Sequence, residues 1–126
     1  MSILPNKQEK EFLKAVADFH NEYGVGYLFG DEWEDSPIQI HHVAGRTYKQ
    51  NKIHIGHYFI LPVPTAIHDV HSNHPFNVTH YRHKFTANYG MQRDLWCSMV
   101  DRMLSKGAIS TAPGDEVISA IVSSKY

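Results

Sequence analysis

The sequence predicts a small α+β domain in which a β-hairpin and a helix form the centre and further helices surround them. Three observations lead to this prediction. The 126 residues are the length of one domain. Two stretches between residues 38 and 61 have the composition of strands, and the flanking segments repeat apolar residues at helical spacing. We therefore expect one domain over residues 1–126 with a ββα core over residues 38–74.

The N-terminal part contains the clearest helix. Its apolar face collects four residues at spacings of four, three and four: Phe12, Val16, Phe19 and Tyr23. Gly24 follows where a helix commonly ends, so a helix is predicted over residues 6–23, with His20 on its solvent side. Residues 25–29 predict a short strand between glycines. Residues 31–37 predict an acidic, solvated turn.

Two strands are predicted in the middle of the chain. Residues 38–43 alternate, contain β-branched side chains and end at the adjacent pair His41 and His42. Residues 53–61 form the second strand, in which Gly56 indicates a bulge or a close backbone approach. The Pro-Val-Pro sequence that follows is expected to end this strand.

The C-terminal half is predicted to be helical. Thr65 can cap a short helix that reaches residue 71 or 72, and His74 before Pro75 breaks it. Helices are then expected within residues 78–124. The first begins near residue 78 and stops at Gly90, the second covers residues 92–106, and the last begins near residue 115.

Composition limits the classes of protein that fit. Cys97 is the single cysteine, which excludes an internal disulfide and a cysteine-based zinc cluster. The longest apolar stretch, residues 58–64, is too short to span a bilayer. The first seven residues contain no apolar run of signal-peptide length. We therefore expect a cytoplasmic protein with no membrane partner.

Histidines dominate the central segment. Nine of the ten fall between residues 38 and 89: His41, His42, His54, His57, His68, His71, His74, His80 and His83. Histidine is the commonest metal ligand and the side chain best suited to proton transfer near neutral pH. A cluster of this density therefore predicts metal binding or acid–base chemistry.

Charge is divided unevenly along the chain, although the net charge is only −1. Between residues 41 and 93, six Lys and Arg residues stand against one acid, a net charge of +5 with neutral histidines. The remainder has six basic and twelve acidic residues, a net charge of −6. Such asymmetry is typical of polyanion binding on one face, but it also arises on ordinary solvated surfaces. The histidines in the same segment favour the first interpretation.

The order of strand, loop, strand and helix suggests how the histidines meet. Adjacent residues on a strand point to opposite faces, so one of His41 and His42 can hold a metal while the other turns toward substrate. His68 and His71 are three apart and would share one face of the predicted helix. With His41 they would supply three imidazole ligands and leave open positions, as a catalytic metal site requires.

These residues resemble the HNH, or ββα-metal, nucleases. A narrower likeness covers residues 38–90: the His-His pair, Gly-Arg with a following Lys, the run Gly-His-Tyr-Phe-Ile-Leu-Pro from residue 56, His68, and Phe85 through Gly90. Over this range the chain is similar to the phage recombination nucleases of the Ref, or RecA-dependent, group.

The resemblance implies a role for each histidine of the motif. His41 would ligate the metal, and His42 would be the general base that activates water. His57 would orient that base, while His68 and His71 would be the ligands supplied by the helix. The loop residues beside the pair would contact phosphates, with two more basic residues further along the chain: Arg46, Lys49, Lys52, Arg82 and Lys84.

The sequence departs from the family pattern at two places. Relatives often hold a structural zinc with Cys and His after the second strand, where this chain has Pro64 and Ile67, so that zinc should be absent. The second helix ligand often lies four residues after the first, which here is Ser72. His71 or His74 must then serve as the third ligand.

The remaining histidines and Cys97 have simpler interpretations. His54 differs in strand parity from His57 and should point away from the site. His80 and His83 could form a second metal site with His74, but a solvated face toward DNA is preferred. Cys97 is interpreted as a packed apolar residue.

The predicted function is a divalent-metal-dependent DNA endonuclease, which the resemblance makes phage-encoded and active in the host cytoplasm in recombination, repair or genome processing. The cofactor would be one Mg²⁺, Mn²⁺, Zn²⁺ or Ni²⁺ ion, and an imidazole shell favours the softer ions. Partners would be DNA, with RNA left open, and recombination or replication proteins; the oligomeric state is undetermined. Two alternatives are a metal-stabilised nucleic-acid-binding module without cleavage, and an interaction module switched by histidine protonation.

Overall fold

The α+β class is confirmed by the structure, a computed structural model that describes residues 4–126. Residues 1–3 of the predicted domain lie outside this range. They include part of the seven-residue stretch that was expected to contain no signal peptide. The described elements are α1 (Lys7–Tyr23), α2 (Gly26–Phe29), β1 (Ile38–His42), β2 (Lys49–Gln50), β3 (Ile53–His54), β4 (Ile60–Pro64), α3 (Thr65–His68), α4 (Arg82–Tyr89), α5 (Gln92–Ser105) and α6 (Asp115–Val122).

An antiparallel pair of β1 and β4 forms the centre of the fold. The register places His41 opposite Leu61 and His42 opposite Ile60. Flanking hydrogen bonds run from the Thr65 amide to the Pro37 carbonyl and from the Val43 amide to the Phe59 carbonyl. Hydrogen-bonded and non-hydrogen-bonded residue pairs alternate along an antiparallel ladder. The residues of β4 that exchange backbone hydrogen bonds with β1 are therefore the odd-numbered ones.

This register corrects the predicted end of the second strand. The Pro-Val-Pro sequence lies inside β4 instead of ending it. Pro62 and Pro64 pair with Ile40 and Ile38 at the non-bonded positions, where a residue without an N–H leaves no ladder bond unmade. All five residues of β4 are buried.

The predicted strand over residues 53–61 is also wrong in its first half. Residues 53 and 54 form a minor hairpin with β2, and its turn residues Asn51 and Lys52 both have positive φ, as a two-residue type I′ turn requires. The chain then turns again, because the Tyr58 and Phe59 amides both donate to the Ile55 carbonyl.

Helix α3 is shorter than expected. It begins at Thr65 and ends at His68, and Asp69 has extended backbone angles (φ −59°, ψ 133°). The segment after it is held by hydrogen bonds from the Val78 amide to the Ile67 carbonyl (2.8 Å) and from the Asn77 side-chain amide to the Asp69 carbonyl (2.9 Å). His71 therefore does not share a helix with His68.

Helix α4 begins at Arg82 and not near residue 78 as expected, and the other helices around this centre follow the sequence closely, with one exception. Asn6 caps α1 in a reciprocal capping box with Glu9, and Gly90 ends α4 with φ 101°. The exception is residues 25–29, predicted as a strand but forming α2. A buried apolar run of this length does not distinguish strand from helix by its periodicity.

One hydrophobic core joins α1, β4 and α5. Its largest fully buried side chains include Trp96, Phe59 and Phe85. The Trp96 indole donates to the Tyr58 carbonyl at 2.8 Å, which fixes the turn that precedes β4. None of the helices within residues 4–126 has both the length and the apolar character needed to span a membrane.

The expectation that His20 faces solvent is wrong. Its side chain is 2% exposed, and Nδ1–H donates to the Val16 carbonyl at 2.7 Å. Since Nδ1 carries the hydrogen, Nε2 accepts from the Tyr27 hydroxyl, also at 2.7 Å. Burial lowers the pKa of His20 to about 4, and the bond to Val16 opposes this effect only in part.

His20→Gln is expected to make the protein less sensitive to acid. The unfolded imidazole titrates near pH 6.5 and the folded one near pH 4, so acid stabilises the unfolded chain as the pH falls through this window. From pH 7 to pH 5 the wild type should lose about 2 kcal/mol more unfolding free energy than the variant. Urea denaturation at both values measures this; equal losses would contradict it, and His83→Gln, at an exposed position, is the control.

Candidate functional site

Two pairs of imidazole rings lie where β1 ends, one on each face of the strand. The rings of His41 and His68 have centroids 5.0 Å apart, in an edge-to-face arrangement. The rings of His42 and His57 have centroids 5.5 Å apart, also edge to face. We call these the His41–His68 pair and the His42–His57 pair. Each of the four residues was a predicted site residue.

The separation in the His41–His68 pair suits two ligands of one cation. With metal–nitrogen bonds of about 2.1 Å, each ring centroid lies about 3.2 Å from the ion, so a tetrahedral angle separates the centroids by about 5.2 Å. The observed 5.0 Å agrees with this value. The Nε2 atom of His41 is buried and has no hydrogen-bond partner. This is the condition of a donor atom that is available to a metal.

Gln39 fixes the ring of His68. The Nδ1–H of His68 donates to Oε1 of Gln39, which leaves Nε2 as the nitrogen with a free lone pair. The Gln39 amide donates in turn to the Asp69 carboxylate at 3.4 Å. Partners of this kind commonly orient metal-ligating histidines. Gln39 was missed by the sequence reasoning, although strand alternation puts it on the same face as His41.

The His41–His68 pair is neutral at physiological pH. Burial lowers the pKa of His41 to about 4, and the His68 imidazole acts in the same direction, whereas an interaction with the Gln92 side chain opposes it. Burial also lowers the pKa of His68, and the Asp69 charge opposes this effect. Neutral imidazole is the form that binds metal ions.

The His42–His57 pair lies on the other side of the strand end. Burial lowers the pKa of His42 to about 4, and the charge of Arg46 acts in the same direction. His57, in the turn before β4, is 2% exposed. His42 is half-buried, with its Nε2 shielded from solvent and without a hydrogen-bond partner.

The loop that carries Arg46 packs directly against Gly56. A Cβ at Gly56 would lie 2.0 Å from the Arg46 carbonyl oxygen and 2.7 Å from that of Gly45. Of the two alternatives for Gly56, the close backbone approach is the one observed. This contact brings an exposed cation to the strand end, beside His42.

The third predicted ligand is not assembled with the pair. His71 is exposed, and its amide donates to the Asp69 carboxylate at 2.8 Å. Throughout residues 4–126 there is no group of three or more His, Cys, Asp or Glu side chains arranged to hold a metal ion. His68 and His71 do not share one helix face, because α3 ends at His68. A ligand role for His71 stays a prediction.

The expectation that His54 points away from the site is wrong. Its ring centroid lies 6.4 Å from that of His57, and its Nε2 is buried without a hydrogen-bond partner. Strand parity failed here because His54 and His57 do not lie on one strand; a turn separates them. His54 therefore extends the His42–His57 pair into a row of three rings.

Two of the remaining histidines have local hydrogen-bond partners, and the third is exposed. His74 accepts a hydrogen bond from the Phe76 amide at 3.1 Å and contacts Trp33 edge to face. His80 donates to the Val70 carbonyl at 2.8 Å, and His83 is exposed on α4.

The five basic residues predicted to contact nucleic acid are all exposed. Arg46 influences His42 directly. Lys49 and Lys52 belong to the minor hairpin, which packs against α6. Arg82 lies over the Tyr126 ring and Lys84 over the Tyr81 ring.

Comparison with known proteins adds no family to this geometry. No protein-family model, curated protein or solved structure matches the chain. The resemblance to the HNH nucleases therefore rests on the motif residues alone.

Gly56→Ala should destabilise the protein by about 1–3 kcal/mol, the usual cost of forcing atoms into a filled space. The added methyl group meets backbone atoms of Arg46, which cannot rotate away as a side chain would. Urea denaturation measures the change. Gly114→Ala, where a Cβ meets nothing within 4 Å, should cost less than about 1 kcal/mol. Equal losses in the two variants would contradict the close contact.

Proposed function

We propose that this protein is a divalent-metal-dependent endonuclease that hydrolyses phosphodiester bonds in DNA. The observation that carries the proposal is the placement of two imidazole pairs at the end of β1. The His41–His68 pair has the spacing of two ligands of one ion. The His42–His57 pair lies at the same strand end, where the charges of His68 and of the exposed Arg46 both act on His42. Metal ligation, proton transfer and phosphate binding are the functions that such hydrolysis needs.

His41 and His68 would hold the ion, with Gln39 orienting the His68 ring. Two imidazoles leave most coordination positions for water, phosphate oxygens or a further side chain such as His71. When bound, the ion stabilises negative charge on the phosphate and on the leaving oxygen. The open shell is that of a catalytic site, because structural sites are closed by four protein ligands.

His42 would remove the proton from the attacking water. Because Nε2 of His42 is shielded from solvent while the ring is half-buried, the proton acceptor would be Nδ1, and Nε2 would carry the hydrogen. The water oxygen forms a bond to phosphorus as the bond to the 3′ oxygen breaks, and solvent supplies a proton to that oxygen. Arg46 would hold a phosphate of the strand without reading its sequence.

Removing the acceptor for His68 tests the metal-ligand assignment. Gln39→Ala should weaken metal binding by about 10–100-fold, the usual effect of losing an orienting partner. Gln39→Glu should weaken binding less than Gln39→Ala, since the carboxylate still accepts from Nδ1 although it is repelled by the Asp69 carboxylate. Calorimetric titration with Zn²⁺, Ni²⁺, Mn²⁺ and Mg²⁺ gives the affinity, and the ring nitrogen chemical shifts of His68 report its tautomer. Gln8→Ala, at an exposed position on α1, should bind as the wild type does; the same affinity in Gln39→Ala would remove the assignment.

The general base is tested by cleavage of plasmid and single-stranded circular DNA across the same panel of metals. His42→Ala should lower the cleavage rate by about 10²–10⁴-fold, the range of general base catalysis. His83→Ala, an exposed histidine on α4, should leave the rate unchanged. Equal cleavage by wild type and His42→Ala would point to a contaminant and sink the proposal.

Chelation separates the proposal from a metal-stabilised binding module without cleavage. A structural ion contributes to folding, so EDTA would cause a large fall in Tm. For the proposed nuclease, EDTA should abolish cleavage and leave the thermal unfolding transition largely in place. Loss of the folded state on chelation, without cleavage under any metal, would favour the binding module.

A further inference from the structure

The segment from Val70 to Arg93 has no negative side chain. Its 24 residues include no Asp or Glu, three Lys and Arg residues and four histidines. Asp69 immediately precedes the segment and Asp94 immediately follows it. A surface of this composition attracts anions and gains further positive charge when histidines are protonated.

Two apolar side chains are exposed within this segment. Tyr81 is 43% exposed and Val70 is 63% exposed, whereas the larger apolar side chains of the same segment are buried or partly buried. Tyr81 is adjacent in sequence to four exposed residues with basic side chains: His80, Arg82, His83 and Lys84. The Lys84 ammonium lies 5.2 Å from the centroid of the Tyr81 ring. An exposed aromatic ring and a cation are thus held together.

The backbone before Tyr81 is tied to the segment that follows His68. The Val78 amide donates to the Ile67 carbonyl, the Asn77 side chain donates to the Asp69 carbonyl, and the His80 ring donates to the Val70 carbonyl. These three bonds, each 2.8–2.9 Å long, join residues 77–80 to residues 67–70. Tyr81 therefore directly follows a segment that is hydrogen-bonded to the residues on either side of His68.

We propose that Tyr81 and Lys84 form a stacking subsite for an unpaired base of a single-stranded nucleic acid, directly after the segment that is hydrogen-bonded to residues 67–70. This inference rests on the proposed function, and it names the form of the substrate. An exposed aromatic ring binds a base through its π-face. Lys84 lies over one face of the Tyr81 ring, so a base would stack on the opposite face while the ammonium binds the phosphate. Bases within a duplex are already stacked on their neighbours, so the ring favours an unpaired strand. A protein partner would instead be expected to require a larger apolar surface than Tyr81 and Val70 provide.

The test is binding in EDTA, where metal-dependent cleavage cannot occur. Fluorescence anisotropy compares a labelled oligodeoxythymidine with a blunt duplex of equal length. Tyr81→Ala should weaken binding of the single strand by about 5–150-fold, the range for loss of one base–aromatic stack, and should change duplex binding little. Tyr81→Phe keeps the ring and should bind as the wild type does. Tyr23→Ala is the matched control, because Tyr23 is 61% exposed but lies on α1, next to Glu22.

Several results would overturn the subsite. Unchanged binding by Tyr81→Ala, an equal loss for the duplex, or a loss in Tyr81→Phe as large as in Tyr81→Ala would each do so. Binding to phosphatidylserine vesicles but to neither oligonucleotide would also overturn it. Circular dichroism and urea denaturation check that each variant is folded.

The subsite and the nuclease can fail separately. Single-strand binding that depends on Tyr81, without cleavage under any metal, supports the subsite and removes the nuclease. Metal-dependent cleavage that needs His42, with binding that ignores Tyr81, removes the subsite and leaves the nuclease.

Discussion

The antiparallel ladder between β1 and β4 is the constraint on which the site depends. Its register fixes which residues of β1 bond across the pair and which face each side chain takes. Gln39 and His41 therefore share one face, while His42 turns to the other. Because α3 begins directly after β4, the same ladder brings His68 back to His41. A slip of one residue would exchange the faces and separate the rings.

Three imidazoles at this site, those of His41, His42 and His68, have surroundings that favour the neutral form. Burial is the largest cause of the lowered pKa values of His41, His42 and His68, and neighbouring positive groups add to the effect for His41 and His42. Protonated imidazoles this close together would repel one another, and no carboxylate among the described residues lies beside His41 or His42 to offset that repulsion. The arrangement is therefore poorly suited to storing protons and well suited to offering lone pairs to a cation.

Sequence patterns predicted the elements whose periodicity is strong and missed what depends on irregular backbone. The capped helix α1, the strand that ends at His41 and His42, and the stop at Gly90 were all anticipated. The fold class and the meeting of His41 with His68 followed from these elements, whereas the pairing of His42 with His57 was implied only by the resemblance to the HNH nucleases. Three features were not predicted: the end of α3 at Asp69, the turn that brings His54 near His57, and the burial of His20. Each depends on tertiary contacts that no local spacing encodes. Gln39 was not predicted as a site residue because an amide is not itself a usual metal ligand, although strand alternation places it on the same face as His41.

The two prolines of β4 have a consequence for self-association. At the non-bonded positions of an antiparallel pair, backbone N–H groups point to the outer edge of the sheet. Pro62 and Pro64 occupy these positions, so the outer edge of this apolar strand lacks two of the donors that an incoming strand would need. A sequence as hydrophobic as Ile60–Pro64, when transiently uncovered, is thereby a poor template for intermolecular β-sheet growth and aggregation.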